Sequence, residues 1–594
     1  MCYVVHGWRS DVYPGAIPGT KAAWIRFLIN LTYENEPYMD NQRLLLFLAL
    51  SLVVLLLWDA WQEKTNPTPI SPVVQSAPVG QPAVPANIPT DIDSEVPIAI
   101  QAPVDLDESA KTISKGSLKT GQRVRVVTDV LDIDLDTVGG DIRRVYLLNY
   151  PVEQKVPNNP YPLMNDQLPQ LFIAQSGLLS KQSAPDHHAV YSVSGSEFVM
   201  ASGDNTLVVP MVWKSADGIV VTKTYTFHRD SYLITVDHKV SNTSATDWAG
   251  RLYRQFQRNE YDEPGKSRLL YTFTGGAVSS AEKPYEKIEF SEMGDWKPEQ
   301  SYIKGGWVSM MQHYFVSAWL PKADEVNHFF SKNLNDTRYI LGMMGTDVTV
   351  AAGSDSTFAS RIYIGPKEQS RIESLADNLK LTVDYGWLTF IAQPLFWVLE
   401  KLHSFVGNWG WSIILLTVLI KLVFYKLSAA SYRSMGNMRK IAPKFQAIRD
   451  RYGDDRQRLS QATMELYKKE KVNPLSGCWP MLVQIPVFIA LYWMLLESVE
   501  LRQADFILWI EDLSAKDPYY VLPLLMGASM YVQQKLSANP SLDPLQQKIM
   551  QFLPIIFTLF FMLFPAGLVL YWVVNNILSI TQQWYVIRKI EKAG

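Results

Sequence analysis

An apolar run with a lysine inside it restricts what this chain can fold into. In WGWSIILLTVLIKLVFYKL (Trp409 to Leu427), Lys421 lies about ten residues, or roughly 15 Å at the helical rise, from the outer end of the run. A run of this length is a candidate membrane span, and its cation then sits near mid-membrane. An ammonium there costs roughly 2.5–3.5 kcal/mol on insertion scales, so Lys421 is expected to face other helices or a wet cavity. Thr417, one turn earlier, falls on the same helical face. The run alone leaves two plainer readings open. Lys421 could snorkel its ammonium to the headgroups at the inner end, and the basic segment that follows could be an ordinary charged loop.

Similar apolar runs recur. Residues 39–62 read as an anchor helix, retained because no small-x-small cleavage site follows the run, and residues 1–38 as an extension, either a cytoplasmic tail or a stretch upstream of a start at Met39. Further spans are expected at 410–428, 477–496, 519–534, 549–564 and 567–584, which makes six. Their loops orient them. Between Lys426 and Lys471 basic residues outnumber acidic ones by twelve to five, which places that loop in the cytoplasm. The loop 497–518 carries six acids against Arg502 and Lys516, which suits the outside. The loop 535–548 and the tail 585–594 are basic again. Both termini are then cytoplasmic in a multi-pass membrane protein, and the largest domain is exported.

That domain follows a linker at 63–114, where nine prolines between Pro67 and Pro103 favour extended geometry and cannot bury a core. Residues 115–370 change to short alternating runs. Ile234, Val236 and Val240 alternate with polar neighbours, and HRDS (His228 to Ser231) separates them from KTYTF, so a hairpin is expected. Many such strands make a large all-β sandwich. Its chemical motifs are weak. Asp132, Asp134 and Asp136 open like a calcium loop, but position twelve is Arg143, so they are read as a solvated strand face. Gly265-Lys266-Ser267 ends like a phosphate loop, yet Glu260 holds the place of the leading glycine. His187, His188, His228 and His238 have no partner at ligand spacing and are read as surface or packed residues. Cys2 and Cys478 are the only cysteines, so neither a disulfide framework nor a thiolate metal site is available. No metal, cofactor or catalytic residue is expected, and the chain is not read as an enzyme.

The membrane half is more informative. Residues 371–409 are aromatic, contain Pro394 and fit an amphipathic helix in the outer interface. Several spans are short, so the bilayer around them is expected to thin. Polar residues recur inside them: Thr417 and Lys421, then Gln484, then Asn575, Asn576 and Ser579. Helix-to-helix hydrogen bonding is one account of the amides and hydroxyls; a water-filled groove accounts for them together with the cation. In the segment 429–474, Met438, Ile441, Phe445, Ile448 and Tyr452 repeat at 3 and 4, with Pro443 weakening that helix near its beginning. Gly453 can cap it, and Asp454 or Asp455 can start a second helix. This is a basic amphipathic hairpin carrying Arg439, Lys440, Lys444, Arg449 and Arg451. It suits an acidic partner such as ribosomal RNA or anionic lipid.

With WGWSIILLTVLIK, YGDDRQRLSQATMELYKKEKVNPLSGCWPMLVQIPVF, DPLQQKIMQFLP and FPAGLVLYWVVNN, the chain from Met39 onward resembles the YidC/Oxa1/Alb3 membrane protein insertases, in their long Gram-negative form. Two features depart from that pattern: the first 38 residues lie outside it, and Lys421 stands where the family has arginine, which keeps the charge but loses bidentate pairing. The resemblance implies a periplasmic β-supersandwich shaped like sugar mutarotases, and a helical core with a hydrophilic groove. Lys421, Thr417, Gln484, Asn575, Asn576 and Ser579 would line the groove. Ile485, Phe488, Leu491, Phe557, Phe560 and Phe561 would form a greasy slide for the nascent helix. It implies insertion and folding of new membrane proteins, alone or with the Sec translocon and its accessory subunits. Membrane lipids, the ribosome and the signal recognition particle receptor are further partners, and DNA is not. Two readings compete: a polytopic transporter, although no inverted repeat is present, and a membrane-anchored periplasmic protein that binds or modifies carbohydrate.

Overall fold

The computed structural model describes residues 118–592 apart from 262–271, 336, 454, 471–478 and 538–543. The expected extension, anchor and linker lie outside the described residues.

Between Arg123 and Pro366 alternation of apolar and polar residues builds two sheets, of eleven and nine strands. In Ile219–His228 and Leu233–Asn242 every second side chain is buried over most of the strand. The two pair antiparallel across a turn in which Asp230 has φ 52°, which is the hairpin expected around HRDS. The larger sheet centres on Trp248–Asn259, between Phe172–Ser180 and Arg338–Gly345. The smaller centres on Asp355–Pro366, between Leu233–Asn242 and Phe315–Leu320. Phe256 of one sheet and Trp319 of the other are both buried, with ring centroids 6.1 Å apart, so the two inner faces share one core. One pairing, Arg123–Val127 with Glu197–Val199, is parallel.

The aspartate row is not the solvated face that its spacing suggests. Asp132 pairs with Arg125 at 2.7 Å and Asp134 lies 3.8 Å from Arg144. Asp136 is wholly buried and accepts the Gly121 and Val138 N–H groups at 2.8 Å each, so it serves the backbone where the strand ends. Of the histidines, His187 is buried against the Tyr253 hydroxyl at 2.7 Å and His238 is buried, while His188 and His228 are exposed.

Beyond Gly386 the described chain is mainly helical: α1 (Thr389–Val406), α2 (Trp409–Val423), α3 (Tyr425–Lys440), α4 (Ala442–Tyr452), α5 (Arg456–Lys469), α6 (Trp479–Glu497), α7 (Val521–Ser537), α8 (Pro544–Phe561) and α9 (Ala566–Lys592). The described helical residues from Asn437 to Glu470 fall in a different compact unit from the sandwich. Their antiparallel pair α4 and α5 closes on Ile441, Phe445 and Leu466, with Lys444 paired to Glu470 at 2.6 Å. The sandwich and the other helices form the second unit.

Several expected boundaries need correction. The span 410–428 ends as α2 at Val423, and α3 leaves at 67°, where the apolar run gives way to Lys426, Ser428 and Ser431. Met438 and Phe445 belong to separate helices. Pro443 lies in the first turn of α4, where its missing N–H costs nothing, so it starts a helix and does not weaken one. Asp455 caps α5 by accepting the Gln457 and Arg458 N–H groups. Asp517 takes the N–H groups of Tyr519 and Leu522, so α7 starts at Val521 and not at 519. Within the expected loop 535–548, α8 already begins at Pro544, and it stops at Phe561. Polar residues do not break α9, which continues for 27 residues through the expected tail to Lys592. With these breaks and charges, among the described residues no single helix is long and apolar enough to cross a membrane, whereas α2 and α3 pass together as a bent pair by length and composition.

The segment between α6 and α7 joins the helices to the sandwich. Arg502 and Gln503 both donate to the Pro151 carbonyl, at 2.7 and 2.8 Å, and Lys155 pairs with Glu511 at 3.1 Å. The Gln369 N–H donates to Glu500 at 3.2 Å. Burial pushes the Glu500 carboxyl up to about 7 from an ordinary 4.5. The folded chain therefore keeps that proton where the unfolded chain has lost it, so stability falls as pH rises from about 4.5 to about 7 and is level above. Melting temperatures of the purified chain between pH 5 and 8 are expected to fall with pH over that window, by the equivalent of about 3 kcal/mol. Glu500→Gln should make the profile shallower, leaving the share of Glu497, whose carboxyl burial also raises; an unchanged slope in that variant would assign it to other groups.

Candidate functional site

The helices of the second unit bury a few polar side chains among apolar ones and leave many large apolar side chains exposed. On α2, Ser412, Thr417 and Lys421 are buried while Leu415, Leu419, Leu422 and Val423 are exposed. Exposed apolar side chains continue on α1 (Phe390, Trp397, Phe405), α7 (Leu524, Leu525) and α8 (Ile555, Ile556, Leu559). So much contiguous apolar exposure does not suit water, and marks a surface that meets lipid.

The polar interior centres on Lys421, which is 8% exposed. Its Nζ donates to the Ser579 hydroxyl at 2.7 Å, and that hydroxyl donates onward to the Asn575 carbonyl at 2.7 Å. Lys421 has no ion pair among the described residues, so its partner there is neutral. Asn576, three residues before Ser579, donates to the Ser529 hydroxyl of α7 at 3.0 Å. Gln583, one turn beyond Ser579, donates to the Leu536 carbonyl and the Ser537 hydroxyl at 3.0 Å each. Thr417 turns its hydroxyl onto its own helix, to the Ile413 carbonyl at 2.7 Å. Asn576, Ser579 and Gln583 thus form one stripe of α9 at spacings of 3 and 4, with α2 on one side and α7 on the other.

Local sequence positions these helices. Asn408 caps α2 by accepting the Trp411 N–H, and its amide donates to the carbonyls of Asp505 and Phe506 at 3.1 and 3.3 Å. Gly410 lets Phe506 approach, since a Cβ there would overlap the ring. Gly527 likewise admits Thr558 and brings α7 against α8. The N–H groups of Ala566 and Gly567 at the start of α9 are taken by the carbonyls of Ala515 and Leu513.

The expected groove residues are therefore partly brought together. Lys421 is bonded to Ser579 and through it to the Asn575 carbonyl, Asn576 is bonded separately to Ser529, and Thr417 is buried on the face of Lys421. Gln484 is half-buried on α6, outside that network. Sequence reasoning missed Ser529 and Gln583; the 3 and 4 spacing from Asn576 through Ser579 was a signal for Gln583, while nothing local marks Ser529. Of the expected slide residues, Phe488 and Phe561 pack on the same ring, Trp572. Phe488 packs edge-on against Trp572 at 4.3 Å, and Trp572 meets Phe561 at 5.1 Å. Leu491 and Phe561 are buried in this contact region, Phe557 is half-buried, and Ile485 and Phe560 are exposed. In the hairpin unit Lys440, Lys444 and Arg451 are exposed, and Arg439 and Arg449 are half-buried.

Comparison with known proteins decides the family. Residues 123–398 match the family model described as the YidC periplasmic domain, and residues 401–593 match that described as 60Kd inner membrane protein. The curated membrane protein insertase YidC of Thioalkalivibrio sulfidiphilus is 50% identical over 569 residues, covering 94% of this chain and 100% of the relative. The chain belongs to the YidC membrane protein insertases. It is accordingly a membrane protein insertase of the inner membrane that acts on nascent membrane proteins, is not an enzyme, and carries a periplasmic domain, the β-sandwich. The YidC relative from Methylococcus capsulatus is 48% identical over 558 residues, covering 93% of this chain and 99% of the relative. A crystal structure described as active YidC insertase with its first transmembrane domain resolved covers 79% of this chain and 93% of its own at 18% identity, with a TM-score of 0.38.

Within this YidC chain the Lys421–Ser579 bond links two helices inside a bundle that lipid surrounds, where such bonds contribute about 0.6 kcal/mol on average. Ser579→Ala is expected to lower the melting temperature only slightly in detergent while reducing insertion severalfold. A large loss of stability with insertion of the remaining folded protein intact would make the stripe a structural element alone.

Proposed function

We propose that the buried polar stripe of α2 and α9 is the wall of a hydrophilic groove that receives the polar tail of a nascent membrane protein. The observation carrying this reading is the Lys421 ammonium, buried on a neutral hydroxyl with no carboxylate paired to it among the described residues. Such a cation attracts an acidic residue and spares it much of the cost of entering hydrocarbon. Thr417, Asn575, Asn576 and Ser579 supply further polar contacts, with Gln484 entering from α6. The apolar segment of the substrate then leaves along the Phe488, Phe557 and Phe560 surface of α6 and α8. Its burial in lipid, at roughly 25 cal/mol per Å², drives release, and membrane potential acting on the acidic tail assists. No nucleotide enters this scheme.

The finer assignments belong to the same reading. Both termini are cytoplasmic and six helices engage the membrane, the first at 39–62. The basic hairpin, with Lys440, Lys444 and Arg451 outward, engages ribosome, signal recognition particle receptor or anionic lipid. Larger substrates are handled with the Sec translocon and its accessory subunits.

Insertion of an acidic-tailed single-span protein, in cells depleted of their own insertase, tests the groove. Lys421→Arg should insert as well as wild type, and Lys421→Ala should fall by about tenfold, the loss of one charge-assisted contact. Full activity of Lys421→Ala would leave insertion to the apolar slide.

A further inference from the structure

A second chamber lies on the other side of the sandwich–bundle joint. It is a cavity of 590 Å³, lined by the sandwich and by Leu496, Arg502 and Ser514 of the helical part. That volume is in the range of small-ligand sites. Its chemistry is one-sided: Arg258, Arg502 and His313 line it, and no carboxylate does among the described residues. Aromatic faces hold both guanidinium groups. Arg258 stands 4.7 Å over Phe172, and Arg502 stands 5.6 Å over Tyr161 and 5.7 Å over Phe315. Their plane is therefore fixed before any ligand arrives.

Two polar atoms in this lining are buried and unsatisfied. Arg502 uses Nη2 on the Pro151 carbonyl, and among the described residues its Nη1 has no partner. Asn259 is 8% exposed, and its Oδ1 has no partner among them either. A buried donor or acceptor left unmade costs about 1–3 kcal/mol, so native sites of this kind are completed by water or ligand. The pair asks for a ligand that presents an anionic oxygen to Arg502 and a hydroxyl or ammonium donor to Asn259. Phosphate esters of glycerol or ethanolamine have both. The position selects among their sources, because Leu496 is one residue from the end of α6, an apolar helix, where the bundle meets the periplasmic domain. Lipid headgroups lie at that level.

We propose that this cavity binds the phosphate-bearing headgroup of a phospholipid from the periplasmic leaflet, with Arg502 and Arg258 on the phosphate and Asn259 on the headgroup donor. This goes beyond the groove reading and uses none of its residues. Headgroup binding ties the sandwich to the bilayer surface beside the bundle.

The test uses the full chain, purified in non-ionic detergent and stripped of lipid. Binding of dihexanoyl phosphatidylglycerol and dihexanoyl phosphatidylethanolamine is measured by calorimetry, in parallel with glycerol 3-phosphate and an acidic peptide. The expected result is saturable binding of a short-chain lipid, weakened at least about tenfold by Arg502→Gln and by Asn259→Asp, which places a like charge beside the phosphate. Asn259→Leu keeps the cavity neutral, removes the acceptor, and is expected to weaken binding too. Lys421→Ala should leave lipid binding unchanged, which separates this site from the groove. Lipid binding indifferent to the Arg502 and Asn259 variants would overturn the proposal. So would glycerol 3-phosphate binding as tightly as the lipid, or variant-sensitive binding of the acidic peptide alone.

Discussion

The buried Lys421 ammonium, held on the Ser579 hydroxyl, is the constraint around which the polar contacts of the helical part are arranged. A cation in the interior of an apolar bundle is costly, and a hydroxyl offsets that cost only in part. Everything nearby follows from keeping that group wet or hydrogen-bonded. Its acceptor Ser579 is bonded in turn to the Asn575 carbonyl, and Asn576 of the same helix meets Ser529 of α7, so a few polar contacts run through an otherwise apolar interior. In the proposed groove the residual electrostatic need of Lys421 is what a substrate's acidic residue would satisfy.

The sandwich is a different material. Its sheets share an aromatic core, and its buried charges lean on the backbone: Asp136 accepts from N–H groups, and Lys223 donates to the Gly139 and Ser176 carbonyls at 3.0 and 2.9 Å. The joint between the two parts is intermediate in character. Glu500 is buried there with one oxygen unpaired, and Arg502 is shared between a backbone carbonyl and an open cavity. Such half-satisfied groups are tolerated where a surface still has something to bind.

Much of this was legible in the chain. Alternation in the strands around HRDS, the apolar runs of α2 and α6 to α9, and the 3 and 4 spacing of the hairpin each leave a period in the sequence, since one face must be buried. Motifs such as WGWSIILLTVLIK carried the family. What misled was local too: three alternating aspartates looked solvated because nothing in their spacing tells which of them will serve a strand end, and Pro443 looked like a weak point because a helix start and a helix interior read alike until the preceding break is known.

The sequence by itself determined which segments are strand, which are apolar helix, that a cation lies within one of them, and to which family the chain belongs. Only the tertiary structure decided that Lys421 meets Ser579 across 158 residues of chain, that α2 stops at Val423, that Phe488 and Phe561 share Trp572, and that residues from Val152 to Ser514 enclose one cavity. The physical reason is the range of the interaction. Burial of a face repeats every two or three to four residues and is written locally, whereas the partner of a buried polar group is set by how distant segments pack, for which no local period exists.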